Sequence, residues 1–125
     1  MRNAAGHMRG LSLHYYTVLT WSGSKGSALN FNEDDYYWCL GKCLGIEPVL
    51  KKHMEIMDRY DSRKLVGLMV DEWGTWWDEE PGTIRGHLFQ QNTMRDAFVA
   101  ALSFNVFHKY TDRIQMCNIA QIANV

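Results

Sequence analysis

Two adjacent carboxylates, Asp71 and Glu72, end an apolar run, Leu65-Val66-Gly67-Leu68-Met69-Val70, and three indoles follow at Trp73, Trp76 and Trp77. A carboxylate with indoles beside it suits the apolar faces of sugar rings and the cleavage of a glycosidic bond. In the retaining form of that reaction one carboxylate attacks the anomeric carbon. A second carboxyl group, about 5 Å away, protonates the leaving oxygen. Tyrosine and histidine near the attacking carboxylate can hydrogen-bond to it and keep it ionised. The apolar run is short and continuous, which predicts a strand buried on both faces that leaves the sheet at Asp71-Glu72-Trp73. Successive side chains on a strand point to opposite faces, so only one of the two carboxylates can address a ligand. Glu72 takes that place, and Asp71 is expected against the flanking helices or a backbone donor. The plainer alternative, two solvated loop acids, leaves the three neighbouring indoles unexplained.

The elements that must position Glu72 follow from periodicity. LSLHYYTV (11–18) is rich in aromatic and β-branched residues and predicts a strand. Period two sets Ser12, His14 and Tyr16 on one face and Leu11, Leu13 and Tyr15 on the other. A polar, aromatic face suggests an opening into a cavity. A core histidine satisfied by a backbone carbonyl fits the same spacing, and this strand alone does not choose between them. After a Gly/Ser/Lys loop over 21–32, Asn32 caps a helix from Glu33 to Leu44 that Gly45 stops. A second helix begins near Glu47-Pro48 and carries Val49, Leu50, Met54, Met57 and Tyr60 on one stripe. His53 falls on that stripe and is expected to pack. The acidic run Asp78-Glu79-Glu80-Pro81-Gly82 predicts a solvated rim. Asn92 or Thr93 caps a helix reaching Tyr110, with Met94, Ala97, Phe98, Ala101, Leu102 and Val106 as its apolar face. Arg113 to Gln121 is a third strand. The order β-αα-β-α-β implies a parallel α/β sheet with His14, Tyr16, Glu72 and Gln121 toward the carboxyl ends of the strands, where such folds bind ligands.

Composition narrows the classes. The 125 residues are near the size of one domain, and 46% hydrophobic with 22% charged residues argues against disorder. A net charge of −1 and no Lys/Arg block make nucleic acid and anionic membranes poor partners. No apolar run nears the ~20 residues of a membrane span, and MRNAAGHMRG at the N-terminus has no signal-peptide core. Three cysteines do not make a disulfide framework. Cys39 and Cys43, spaced i, i+4, read as a buried helix face rather than a metal site, and a reduced cytoplasmic setting fits. Phosphate loops, His-Glu-x-x-His and a serine nucleophile elbow are absent from the sequence, and no cofactor is implied.

LSLHYYT (11–17), HMEIMDRYD (53–61), VDEWGTWWDEEPGT (70–83), QQNTMRDAFVAAL (90–102) and NIAQIANV (118–125) together resemble the α-L-arabinofuranosidases of glycoside hydrolase family 51 over nearly the whole chain. The resemblance implies an eight-stranded (β/α) barrel with retaining chemistry, followed by a β-sandwich. It implies that Glu72 is the nucleophile, that His14 and Tyr16 lie beside it, and that Trp76 and Gln121 line the sugar pocket. The family's general acid/base, a glutamate in an Asn-Glu motif on the fourth strand, has no counterpart here. A full barrel takes about 250 residues. The chain is therefore expected to supply strands six to eight of a partial (β/α)8 TIM barrel, with Met1 an internal methionine of a longer gene. The implied activity is hydrolysis of terminal non-reducing α-L-arabinofuranosyl residues in arabinan- and arabinoxylan-type saccharides, a step of hemicellulose degradation and L-arabinose metabolism. The full-length enzyme is expected to be a possible homo-oligomer. The alternatives are an inactive barrel remnant with at most weak sugar binding, and an independent small α/β domain. Alone, the chain is expected not to hydrolyse arabinosides and not to stay monomeric, with Leu68 and Val70 on an uncovered inward face.

Overall fold

The computed structural model describes residues 1–121. A short 3-10 turn, Ala5–His7, leads into β1 (Gly10–Thr17). Then come α1 (Glu33–Cys43), α2 (Ile46–Tyr60), β2 (Gly67–Thr75), α3 (Met94–Phe107), a 3-10 turn over His108–Tyr110, and β3 (Ile114–Ile119). The strands lie in the order β1-β2-β3, and both pairings are parallel. The expected β-αα-β-α-β order is the observed one. The last four residues of the NIAQIANV motif lie outside the described residues.

The helix starts follow the expected capping chemistry. Asn32 caps α1 by accepting the Asp35 N–H at 2.8 Å. At α3 the cap is Thr93, which forms a capping box with Asp96. Cys39 and Cys43 are both buried on α1, as their spacing predicts, and burial pushes their thiols up to about 12 and about 11.

One face of the sheet is covered. Leu13, Val66, Leu68, Val70, Trp73 and Ile114 pack with Ile46, Leu50 and Met57 of α2 and with Val106 and Phe107 of α3. Leu68 and Val70 are completely buried on this helix side, so they are not the uncovered face that the sequence suggested. The other face carries Ser12, His14, Met69, Asp71 and Glu72, all partly or fully exposed. The strand is thus buried on one face only where the chemistry lies. A second cluster, of Ala28, Cys39, Cys43, Trp77 and Val99, holds α1, α3 and the loop after β1 together.

Four expectations need correction. The second strand does not end at Asp71 but runs on to Thr75, and Leu65, outside the strand, is 52% exposed. Apolar run and strand differ because polar residues are tolerated where a sheet face is open. His53 is exposed, with Nδ1 bonded to its own helix at the Val49 carbonyl, and Tyr60 is exposed too. On α3, Met94, Ala97, Phe98 and Ala101 face outward, while Arg95, Asp96, Val99, Ser103, Val106 and Phe107 are buried. Of the expected face, Val106 is buried and Leu102 partly buried, whereas in the first turns the polar residues Arg95 and Asp96 take the buried side. Finally, the acidic run is exposed at Glu79, Pro81 and Gly82, but it is more than a solvated rim. Asp78 accepts from the Gly26 N–H and Ser24 hydroxyl, and Glu80 accepts from the Leu29 N–H and the Ser27 hydroxyl, stitching this loop to the one after β1.

Candidate active site

Strand β2 bulges at the carboxylates. Ser12 pairs with Met69 and His14 with Glu72, so three steps of β2 span two of β1. Val70 pairs with Cys117 and Trp73 with Ile119, the same excess against β3. An extra residue breaks the strict alternation of side chains, and such bulges re-aim side chains near active sites. Asp71 and Glu72 therefore share a neighbour, contrary to the alternation argument. His14 Nε2 lies 3.5 Å from Asp71 Oδ1, and His14 Nδ1 lies 3.3 Å from Glu72 Oε2. Asp71 does not turn to the helices. It accepts the Ser12 hydroxyl at 2.7 Å, which holds its carboxyl below the usual range.

Glu72 receives its shortest contact from Tyr16, whose hydroxyl donates to Oε1 at 2.6 Å. Burial, the bond to Glu72 and the charge of Glu72 together push the phenol well above its ordinary value, so it stays a donor. One oxygen of Glu72 thus meets Tyr16 and the other His14. The carboxylate is held by two aromatic partners from β1 and keeps 45% of its side chain open to solvent.

Beside it is a cavity of about 130 Å³, lined by Tyr16, Glu72, Thr75, Trp76, Gln90 and Gln121 among others. The expected residues Tyr16, Glu72, Trp76 and Gln121 meet in this one cavity, with His14 behind Glu72. Of the three indoles, Trp76 alone lines it. Trp73 is buried against Phe104 and Phe107, and Trp77 is buried under the Arg95 guanidinium. Trp76 meets Tyr16 edge-on with centroids 5.4 Å apart, Trp21 edge-on at 6.1 Å, and the Lys25 ammonium at 4.9 Å.

Gln121 reaches the cavity because β3's exit approaches β2 closely. The Ala120 N–H donates to the Trp73 carbonyl at 2.8 Å. Next to it Gly74, at φ +150°, leaves room for the Ala120 carbonyl, which a Cβ would meet at 2.7 Å. That approach requires glycine.

Sequence reasoning missed Leu88, Gln90 and Asn92, which also line the cavity. Their signal was the polar Gln90-Gln91-Asn92 run just before a helix cap, in a loop at the carboxyl end of a strand, where ligand contacts concentrate. It missed as well the contact of Trp21 and Lys25 with Trp76. Among the described residues, no group of three or more His, Cys, Asp or Glu could hold a metal ion, and no helix is long and apolar enough to cross a membrane.

Comparison with known proteins gives this arrangement its kin. A family model described as the α-L-arabinofuranosidase C-terminal domain matches residues 71–125. An intracellular exo-α-L-arabinofuranosidase of Bacteroides ovatus is 71% identical over 126 residues, which is 100% of this chain and 24% of that protein. The crystal structure of the GH51 arabinofuranosidase from Xanthomonas axonopodis pv. citri superposes with a TM-score of 0.94 at 46% identity, covering 99% of this chain and 25% of that one. The Thermotoga maritima α-L-arabinofuranosidase in its arabinose complex shares the fold, with a TM-score of 0.68 at 21% identity, covering 93% of this chain and 21% of that one. These relatives are glycoside hydrolases. Over its whole length the chain is similar to α-L-arabinofuranosidases, one of them of family 51. The chain spans about a quarter of the length of the two most similar of these relatives.

Proposed function

We propose that the chain is part of the catalytic (β/α)8 barrel of a cytoplasmic, retaining α-L-arabinofuranosidase, with Glu72 as the nucleophile. The observation that carries this is the setting of Glu72: at the ligand edge of a parallel sheet, its oxygens on Tyr16 and His14, in one cavity with Trp76 and Gln121. Tyr16 donates to one oxygen of Glu72 and His14 lies beside the other, which orients the carboxylate for attack on the anomeric carbon. Attack breaks the glycosidic bond and gives a glycosyl ester on Glu72, the leaving oxygen taking a proton from the general acid. Water then cleaves the ester, giving its proton to that same group, and arabinose leaves with the configuration retained. Trp76 offers its face to the furanose ring and Gln121 its amide to a ring hydroxyl. The substrates are oligosaccharides ending in α-L-arabinofuranosyl units, as in arabinan and arabinoxylan.

Among the described residues, Glu72 is the one carboxylate lining the cavity. The general acid/base therefore comes from outside them, from the rest of a barrel. The same observation gives a footing to the second reading, a remnant that binds sugar weakly without turnover. In the full-length protein, Glu72→Ala should abolish hydrolysis of an aryl α-L-arabinofuranoside, and azide, a small anionic nucleophile, should restore part of it. Near wild-type turnover in that variant would assign the nucleophile elsewhere, and an inactive wild-type protein would favour the remnant.

A further inference from the structure

Trp76 sits between two residues that are tied to a single buried carboxylate. Asp96, in the first turn of α3 and 9% exposed, uses its two oxygens for different tasks. Oδ2 accepts the Thr93 N–H at 2.7 Å and the Thr93 hydroxyl at 3.0 Å, which is the helix cap. Oδ1 accepts the Thr75 hydroxyl at 2.6 Å and the Trp77 indole N–H at 2.8 Å. A cap needs only the first pair. The second pair leaves the helix and grips the chain immediately before and after Trp76. Gln90 closes the ring: its Nε2 donates to Thr75 Oγ1 at 3.0 Å and its Oε1 accepts the Trp77 backbone N–H at 2.9 Å. From below, the Arg95 guanidinium lies 3.7 Å from the Trp77 ring and donates to the Ser27 carbonyl at 2.8 Å. Thr75 and Trp77 are each held at two points, and the residue between them has its backbone direction set.

We infer that Asp96 is a positioning residue for the cavity wall formed by Trp76, holding that indole against Tyr16 and beside Glu72 through Thr75 and Trp77. It touches no substrate itself. Charge-assisted bonds in a dry setting are the strong ones, and one acceptor shared by two donors couples their positions. Displacing a group that lines a reacting centre by about 1 Å can cost about a hundredfold in rate. The inference rests on reading the Glu72 cavity as the arabinofuranosyl site. It adds that α3, whose first turn lies outside that cavity, sets the cavity's shape.

The test uses the full-length enzyme, with kinetics on an aryl arabinofuranoside and crystal structures of the variants. Asp96→Ala is compared with Val106→Ala, a core truncation on the same helix but remote from the Asp96 contacts. At matched loss of melting temperature, Asp96→Ala should lower kcat/KM by about tenfold or more, while Val106→Ala should stay within about twofold. The Trp76 ring should shift away from Tyr16 in the first variant and not in the second. An indole left in place in Asp96→Ala overturns the inference whatever the activity, and so does a kcat/KM that falls equally in both. Should Asp96→Ala not fold, Thr75→Val removes the hydroxyl shared by Asp96 and Gln90, and the same shift and loss are expected of it. A wild-type protein without turnover would end the arabinofuranosidase reading alone, and the position of Trp76 would still decide this one.

Discussion

Tyr16 and Glu72 come from different strands, 56 positions apart, and meet at 2.6 Å. The tyrosine supplies one hydrogen bond to the carboxylate and a ring edge to Trp76. Tyr16→Phe keeps the ring and removes the bond. A hydrogen bond to a charged group is worth about 1–3 kcal/mol, so steady-state assays of the full-length enzyme should find kcat/KM down roughly 10- to 100-fold. An unchanged kcat/KM would mean that Glu72 does not depend on Tyr16. At this scale much was legible from sequence: His14 and Tyr16 on one strand face and Glu72 facing them. The strand ends were less so, since Glu72 lies three residues before the end of β2 and β3 stops at Ile119, short of the expected Gln121. What was not legible was the place of Asp71. Alternation sent it to the helices, and a one-residue bulge, invisible in a single sequence, brought it to His14 and Ser12. Nor could three tryptophans in five residues be told apart, because burial of Trp73 and Trp77 depends on α3, far along the chain.

The starts of β2 and β3 are joined to α2 by a buried ion pair. Arg113, 1% exposed, donates to Asp61 Oδ2 at 2.8 Å and also to Asp58, while Asp61 accepts the Val66 N–H at 2.8 Å and the Leu65 N–H at 3.1 Å. The Val66 N–H foremost, then those of Leu65 and Arg113, hold the Asp61 carboxyl below its usual range against the effect of burial. A carboxylate lowered in the folded state stabilises above its unfolded pKa, about 3.9, and loses that contribution as pH falls through the folded value. The melting temperature should therefore be level above about pH 5 and fall below about pH 4. Asp61→Asn should lower the plateau and flatten the acid fall, as thermal melts across pH would record. An equally steep fall in the variant would assign the acid sensitivity to other groups. Capping residues and stop signals made the helix limits readable, whereas the buried side of α3 was not. Its first turn buries an arginine between Phe31 and Trp77, and no hydrophobic pattern announces that.

Across the whole molecule, the sheet of the described residues has β1 and β3 as its edges, and one broad helix face is apolar and open. Met94 is 68% and Phe98 46% exposed on α3, with Phe104 at 39% further along. Unpaired strand edges and contiguous exposed apolar surface favour association. The 125-residue chain alone should therefore elute from a sizing column as dimers or larger species, and a sharp monomer peak at micromolar concentration would contradict this. The parallel order of strands and helices was legible in the sequence, as was the polar face of β1; which side of β2 lay open was not, because apolar strand residues look alike until helices cover one side. The central claim is that Glu72 forms the bond to the sugar. An activated 2-deoxy-2-fluoro-α-L-arabinofuranoside slows breakdown of the glycosyl ester and should leave the full-length enzyme labelled. Peptide mass spectrometry should place that label on Glu72. A label on another carboxylate, or rapid inactivation with Glu72 unmodified, would contradict the account.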